Sequence, residues 1–327
     1  TVQKRNGGSA MGLGKANLEV FAETLLNLAR KDRDILAVTG DSRGSGKLGP
    51  FGNTLPEQIV EVGIAEQNLV GISAGLTSAG KQVFAVSPAC FLTARGLEQI
   101  KNDVAYSNNP VKLIGISAGV SYGALGSTHH SLHDFAVLQA INNIDIVAPA
   151  DNFETRSAIE AAVDYPKPLY IRFGKKLMYD LHASGTLFEI GKAITLAEGT
   201  DVTFIATGET VSRAVLAGQL LAEEGINAGV ISLHSLRPLD ETAVLDAARR
   251  SSALITVEEH SLFGGLGGTV AALLMQEGII IPFKIVAIPD EYTVTGSQQE
   301  IFTHYGITPN GLSETARKLL AVGAYAR

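Results

Sequence analysis

The side chains best suited to chemistry stand in a few short segments, and the first of these is residues 61–68, Glu-Val-Gly-Ile-Ala-Glu-Gln-Asn. Glu66 lies where a helix rich in small residues should begin. A negative charge at a helix N-terminus is favourable by about 0.3–1 kcal/mol, so Glu66 could simply stabilise the helix. That explanation does not exclude a functional role for the carboxylate.

A glycine-rich loop, residues 123–134, carries three histidines, His129, His130 and His133. Histidines so close together raise the question of a metal. However, no second cluster of Cys, His or acidic residues at ligand spacing accompanies them, so we expect this chain to hold no metal ion of its own. The loop is then either a hydrogen-bonded surface loop or a polar contact for a substrate.

Two further positions combine aromatic or cationic side chains with the end of a predicted strand. Phe91 and Arg95 are four residues apart at the start of a helix that follows the apolar run 81–86. Phe91 could belong to the core or present its face to a flat ring. Arg172 lies in the otherwise apolar strand 169–173, where a guanidinium could bind an anion or pair with a carboxylate.

Two glycine-rich segments superficially suggest nucleotide binding. Residues 41–47 start with Asp41 in place of the first glycine of a phosphate loop, and Leu48 replaces the required Ser or Thr. Residues 264–268 do not match the dinucleotide fingerprint. Both interpretations are therefore rejected.

Apolar runs that alternate with helical periodicity predict the elements that position these residues. We expect two doubly wound α/β domains, of which the second is smaller. Ligands of such sheets bind beyond the carboxyl ends of the strands, and several of the polar residues above stand at such positions. The predicted organisation is a loose leader (1–14), a first domain (15–178), a linker (179–198) and a second domain (199–327).

Composition agrees with this class and excludes others. The chain has 327 residues and is 46% hydrophobic, which suits two domains of roughly 150 residues. A net charge of −7 without a basic block argues against nucleic acid as a partner. Cys90 is the one cysteine and no apolar run has membrane-spanning length, so we expect a cytoplasmic protein that does not enter a membrane.

Five segments taken together resemble the transketolase and deoxyxylulose-phosphate synthase family. They are residues 61–68, 90–95, 123–130, 170–172 and 258–267. Their order and spacing match the family over nearly the whole chain, although no single segment would be specific.

The resemblance implies a fold and a division of labour. It predicts a pyrimidine-binding domain for thiamine diphosphate followed by the smaller transketolase C-terminal domain. The family's Gly-Asp-Gly motif, which helps to bind Mg²⁺ and the diphosphate, is not found here. The chain thus resembles the C-terminal subunit of a split transketolase, whose N-terminal partner subunit supplies those ligands in an assembly of two copies of each chain (α₂β₂).

The resemblance also assigns cofactor-binding residues. Glu66 matches the catalytic carboxyl group that shares a proton with the pyrimidine ring. Phe91 matches the ring that stacks on the pyrimidine, an interaction of about 0.5–1.5 kcal/mol beyond burial. Asp41 matches an Asp near the cofactor, and Arg95 belongs to the same segment as Phe91 and is assigned to the cofactor with it.

Substrate residues follow in the same way. His129 matches a catalytic histidine that faces the hydroxyls of the donor sugar, and Arg172 and Ser45 match positions that hold the anionic end of a sugar phosphate. Leu125 stands where many transketolases have Asp, and Ser117 stands where they often have a phosphate-binding His. These departures leave the substrate pair open: an unusual acceptor, or a ketose that ends in another anion, would fit them.

The expected reaction is transfer of a two-carbon ketol unit from an anionic, phosphorylated ketose to an aldose. Three alternatives stay open at this point. The chain could be a deoxyxylulose-phosphate-synthase-like subunit, a 2-oxoacid dehydrogenase beta chain, or a non-catalytic relative that only binds a partner.

Overall fold

Two mostly parallel sheets organise this computed structural model, which describes residues 3–4 and 10–325 of the chain, with side chains described for residues 11–321. Helices cover the sheets, so the predicted class of two α/β domains is confirmed. The central strands are buried along their whole length, which explains why they appear in the sequence as unbroken apolar runs.

The first part of the chain builds the larger sheet. Its elements are β1 (Gln3–Lys4), β2 (Ala10–Met11), β3 (Leu13–Ala16), α1 (Asn17–Ala29), β4 (Ile35–Thr39), α2 (Gly49–Thr54), β5 (Ile59–Glu61), α3 (Glu66–Ser78), β6 (Gln82–Pro88), α4 (Ala89–Arg95), α5 (Leu97–Gln99, continued by a π-helix over Ile100–Tyr106), β7 (Lys112–Ile116), α6 (Asp134–Gln139), β8 (Asp145–Val147), α7 (Asn152–Val163), β9 (Leu169–Phe173) and β10 (Leu177–Tyr179).

The second part builds the smaller sheet. Its elements are β11 (Ile194–Ala197), β12 (Val202–Ala206), α8 (Val211–Glu223), β13 (Ala228–Ser232), β14 (Ser235–Arg237), α9 (Glu241–Arg250), β15 (Ala253–Ser261), α10 (Leu266–Gln276), β16 (Phe283–Ile288), α11 (Gln298–His304) and α12 (Pro309–Tyr325). Short 3-10 turns lie at Pro56–Gln58, Gly123–Leu125 and Gly208–Thr210.

Strand order places the loops of interest at one edge. The larger sheet has the order β14-β8-β9-β7-β6-β4-β5, and its strands are parallel except β14. Because parallel strands end at the same edge, the segments after β4, β5, β6, β7 and β9 converge there. The smaller sheet has the order β11-β13-β12-β15-β16, with β11 antiparallel.

Two of the predicted segments contain strands among the described residues. The leader was expected to be loose through residue 14, but β3 pairs with β10 and Met11 is buried. Residues 1–2 and 5–9 of that leader lie outside the described residues. The predicted linker contains β11, which closes one edge of the smaller sheet against β13. Short strands of three or four residues carry too little periodicity to be recognised in the sequence.

The second domain also completes the sheet of the first. β14 pairs antiparallel with β8, with Ser235 opposite Val147. The guanidinium of Arg237 donates to the backbone oxygens of Ile141 and Ile144, at 2.5 and 3.1 Å, and so fixes the crossing strand. One apolar core runs across the boundary, because buried side chains of both domains belong to it. The two domains are therefore one packed body.

None of the helices among the described residues is both long enough and apolar enough to cross a membrane.

Candidate active site

Glu66 is the first residue of α3 and lies at the mouth of an open cavity. Its carboxylate is 6% exposed, and both of its oxygens accept from Nη1 of Arg95 at 3.1 Å. The Arg95 side chain is 51% exposed, so this ion pair has one buried and one solvated partner. The cavity beside the pair measures about 520 Å³, and Ile64 is exposed at its rim. The carboxylate thus faces a space large enough for a flat ring.

A row of aromatic rings continues from this pair. The guanidinium of Arg95 lies 4.5 Å from the centroid of the half-buried Phe91 ring. The His129 ring meets Phe91 edge-on at 5.3 Å, and Tyr122 meets His129 in the same way at 5.3 Å. The loop also fixes the imidazole, because Thr128 Oγ1 and His129 Nδ1 are 2.9 Å apart. Glu66, Phe91 and His129 are therefore brought together as the sequence predicts.

The other two histidines of the loop have separate partners. His130 Nε2 lies 2.9 Å from the Gly123 carbonyl oxygen, and His133 Nε2 lies 3.2 Å from Thr93 Oγ1. Burial lowers the pKa of His130, which keeps this ring neutral in its buried position. Among the described residues, no three His, Cys, Asp or Glu side chains are arranged to hold a metal ion.

The loop after β4 is attached to the start of α3 by Glu61. The backbone N–H of Asp41 donates to Glu61 Oε1 at 2.6 Å, and the N–H of Gly63 donates to the same oxygen at 3.1 Å. Asp41 has a positive φ of 50°, and its side chain is exposed. Ser45, further along this loop, is exposed and donates its hydroxyl to the Ser42 carbonyl at 3.1 Å. Asp41 and Ser45 thus lie in one loop, which Glu61 connects to the segment that precedes Glu66.

Ser117 ends β7 on the same edge of the sheet. It is buried and has a positive φ of 55°, a conformation that costs free energy in a residue other than glycine and that clusters at functional sites. Within the described part of the chain its hydroxyl makes no hydrogen bond of good geometry. Burial raises the pKa of the neighbouring Tyr122, and the proximity of Ser117 partly opposes that rise. Ser117 is thus a fully buried neighbour of Tyr122.

Arg172 lies elsewhere than expected. Its side chain is 7% exposed, and Nη1 donates to the buried Asp134 at 2.8 Å. Nη2 donates to the backbone oxygen of Glu259 in the second domain at 2.8 Å, and the guanidinium lies over the Phe135 ring. These contacts compensate the burial of Arg172, and in this structure both of its terminal nitrogens donate to oxygens of the protein. The alternative interpretation, pairing with a carboxylate, is the one that the structure supports.

Two buried acids of the second domain extend this contact between domains. Glu209 accepts the N–H of Gly174 at 3.0 Å, and Glu259 accepts the N–H of Val120 at 2.8 Å. Burial, followed by repulsion from Glu259, raises the pKa of Glu209 to about 8. Gly119 is required here, since a Cβ atom on it would lie 2.3 Å from the Glu259 carboxyl carbon. These acids hold the domains together.

Sequence reasoning missed two side chains of the site, Tyr122 and Lys175. Tyr122 follows β7 and Lys175 follows β9, so both lie beyond the carboxyl ends of parallel strands, at the edge of the sheet that carries the site. Their position shortly after predicted strands is the sequence signal that could have identified them. The Lys175 ammonium lies 3.8 Å from the centroid of the Tyr122 ring, which extends the row of side chains from Glu66 by one more position.

Comparison with known proteins identifies the class. Residues 14–180 match the family model "Transketolase, pyrimidine binding domain", and residues 191–312 match "Transketolase, C-terminal domain". The chain therefore belongs to the transketolase family, as its sequence motifs predict. Within this family it is the C-terminal subunit of a split transketolase, as three comparisons indicate.

Two curated relatives are subunits of similar length. The chain is 52% identical over 297 residues to an apulose-4-phosphate transketolase subunit of Phocaeicola vulgatus, covering 90% of this chain and 95% of the relative. It is 32% identical over 301 residues to a 6-deoxy-6-sulfo-D-fructose transketolase subunit of Clostridium sp., covering 92% and 93%.

One solved structure, described as "Split gene transketolase, inactive beta4 tetramer", superposes with a TM-score of 0.85 at 32% identity. The match covers 94% of this chain and 99% of that one. By contrast, the 1-deoxy-D-xylulose-5-phosphate synthase of Heliobacterium modesticaldum, 35% identical over 303 residues and covering 92% of this chain, is matched over only 46% of its own length.

Proposed function

We propose that this chain, joined to a separate N-terminal subunit, transfers a two-carbon ketol unit from an anionic ketose to an aldose with thiamine diphosphate as cofactor. The observation that carries the proposal is the arrangement of Glu66 and Phe91. A buried carboxylate opens onto a cavity beside a half-buried aromatic ring, and a histidine lies edge-on to that ring.

The residues present suit an aminopyrimidine. Glu66 would accept or give a proton at a ring nitrogen, and Phe91 would stack on the ring. Arg95 lies over one face of Phe91, so stacking on that face would displace the guanidinium and lose a partly solvated cation–π contact of about 0.5–1 kcal/mol. When bound, thiamine diphosphate supplies the electron sink for breaking and forming the carbon–carbon bond beside the ketose carbonyl.

His129 has a different task on the substrate side. Its ring is held between Phe91 and Tyr122, so one edge is directed by packing while the loop fixes Nδ1. An imidazole in this position would hold or move a proton at a hydroxyl of the sugar. Asp41 and Ser45 border the site from the loop after β4 and would contact the cofactor and the sugar, respectively, once the partner covers them.

The partner subunit would supply the Mg²⁺ and diphosphate ligands. In support, the apolar side chain of Ile64 is exposed beside Glu66, where another chain can pack against it. The related structure described as an inactive beta4 tetramer is consistent with a subunit that needs a companion. We propose an α₂β₂ assembly in the cytoplasm.

The substrate proposal draws on relatives. Two of them are named for apulose 4-phosphate and for 6-deoxy-6-sulfofructose, sugars that end in a phosphate and a sulfonate. We propose a ketose ending in such an anion, with apulose 4-phosphate as the first to assay. Similarity to deoxyxylulose-phosphate synthases supports a second candidate, condensation of pyruvate with an aldose phosphate, which the same assay with pyruvate would detect.

Replacing Glu66 by Gln tests the proposal. In the reconstituted two-chain enzyme we expect kcat/KM for ketol transfer to fall about 10²- to 10⁴-fold, because the amide cannot take part in proton transfer. Glu57→Gln is the matched control, since Glu57 is an exposed carboxylate of the same domain. Equal activity of Glu66→Gln and wild type would contradict the assigned role, and full turnover by this chain without a companion would contradict the two-chain arrangement.

A further inference from the structure

Lys175 is a cation in the site that lacks an acidic partner. Its ammonium is half-buried and lies 3.8 Å from the centroid of the Tyr122 ring. Within the described residues it forms no ion pair. Burial, followed by the charge of Lys47, lowers the pKa of Lys175, which means that a second cation lies close enough to disfavour its charge. A half-buried ammonium that lies against an aromatic ring of the site, with no carboxylate paired to it among the described residues, is suited to binding an anion.

The surroundings of Lys175 come from several elements. Lys47 lies on the loop after β4, and its ammonium is 3.8 Å from Glu19, a half-exposed pair that neutralises it only in part. Cys90 at the start of α4 faces Lys175 too, but burial raises the pKa of this thiol to about 11, so it carries no charge at neutral pH. Tyr122, whose pKa is also raised by burial, is neutral as well. The local charge is therefore positive.

Lys175 lies at the far end of the row of side chains that begins beside Glu66. Starting from the cavity beside Glu66, the side chains follow in the order Phe91, His129, Tyr122 and Lys175. A ketose whose reacting end lies near Phe91 and His129 would extend past Tyr122. Its last group would then reach the ammonium of Lys175.

We propose that Lys175 binds the terminal oxyanion of the ketose and thereby determines substrate specificity, while Arg172 is engaged by Asp134. The inference rests on the proposed function, because it assumes a sugar in this site. An ammonium is a compact charge with three rotatable donors, so it can donate hydrogen bonds to a phosphate or to a sulfonate. The Tyr122 ring under Lys175 limits where the ammonium can lie.

Steady-state kinetics of the reconstituted two-chain enzyme test the proposal. The donors are a ketose phosphate, the same ketose without phosphate, and a sulfonated ketose. For Lys175→Met we expect KM to rise about 10- to 100-fold for both anionic donors, the size of a lost charge-assisted hydrogen bond, and to stay unchanged for the phosphate-free ketose. Lys175→Arg should restore most of the affinity.

Lys176→Met is the matched control, because Lys176 is the next residue and is exposed. A KM that rises equally for all three donors, or for none, would overturn the proposal. A rise in KM for the ketose phosphate alone would support the anion site and show that it binds phosphate but not sulfonate.

A second measurement separates this inference from the proposed function. Inorganic phosphate is titrated into the full-length chain whose lysines carry ¹³C-methyl groups, and the Lys175 signal is identified by its loss in Lys175→Met. We expect this signal to shift with phosphate while the Lys176 signal stays constant. If the wild-type pair turns over no ketose, the proposed function fails and this titration decides alone: a shift retains the anion site, and a constant signal removes it.

Discussion

Glu66 and Arg172 are both buried charges, but their ion pairs differ in whether the partner is exposed to solvent. Arg172 is buried together with its partner Asp134, and every donor direction described for it ends on an oxygen. Glu66 is buried too, but its partner Arg95 is half exposed and can turn away into solvent. A pair whose two members are buried is costly to break, whereas a pair with one solvated member is cheap to open. The Glu66–Arg95 pair is therefore the easier of the two to open.

Asp134→Ala should reveal the structural role of Arg172. The substitution leaves a buried guanidinium without its carboxylate and Tyr170 without its acceptor, so we expect the free energy of unfolding to fall by about 3–5 kcal/mol in urea titrations. Arg33→Ala, which breaks a pair that is 87% and 84% exposed, should cost less than about 1 kcal/mol. If Asp134→Ala kept its stability but lost affinity for the sugar, the result would indicate that Arg172 binds the substrate.

At the scale of elements, the segment between the domains is held by a buried histidine. His182 Nδ1 lies 2.8 Å from Asp151, the N-cap of α7, and His182 Nε2 lies 3.1 Å from Glu154. Burial opposes the charged imidazole, but the two carboxylates outweigh it and raise the pKa of His182 to about 9. The segment predicted as a linker is therefore attached to the first domain by one imidazolium and two carboxylates.

This raised pKa predicts how stability depends on pH. The folded-state pKa exceeds the unfolded value of about 6.5, so the contribution is fully present below pH 6.5 and is lost as the pH rises through about 9. We expect a loss on the order of 3 kcal/mol in the free energy of unfolding across this range. His182→Gln should be less stable at pH 6 and should not show this part of the pH dependence. Parallel curves for both proteins would refute the assignment.

The sequence predicts long elements better than short ones. β6 and β7 appear as apolar runs because they are almost wholly buried, and their ends locate Phe91 and His129 at one edge of the sheet. Short strands such as β11 and β14 derive their conformation from the neighbour with which they pair, and that neighbour is distant in the sequence. For the same reason the partner of Arg172 could not be identified: Asp134 lies 38 residues away, within the histidine-rich loop.

At the scale of the whole molecule, the first domain does not have a complete sheet of its own. β14 of the second domain covers the edge of β8, and the apolar core continues across the boundary. An uncovered strand edge beside exposed apolar side chains favours pairing between chains.

We therefore expect a fragment comprising residues 11–190 to aggregate and to lack a cooperative unfolding transition, in contrast to residues 11–327. Size-exclusion chromatography and thermal denaturation of the two fragments, expressed in parallel, check this outcome. A monomeric shorter fragment that unfolds cooperatively would show that the first domain is independent of β14.

The crossing strand also restricts how this lineage can acquire new chemistry. A crossover that exchanged only the C-terminal half between two related genes would bring an unfamiliar β14 to β8 and unfamiliar acids to Gly119 and Gly174, at the places where fit is tightest. Hybrids of that kind would be eliminated before their activity could be selected. New substrate specificity would then have to come from single substitutions in the loops beyond the strand ends. A change of one side chain there leaves the contact between the two domains intact.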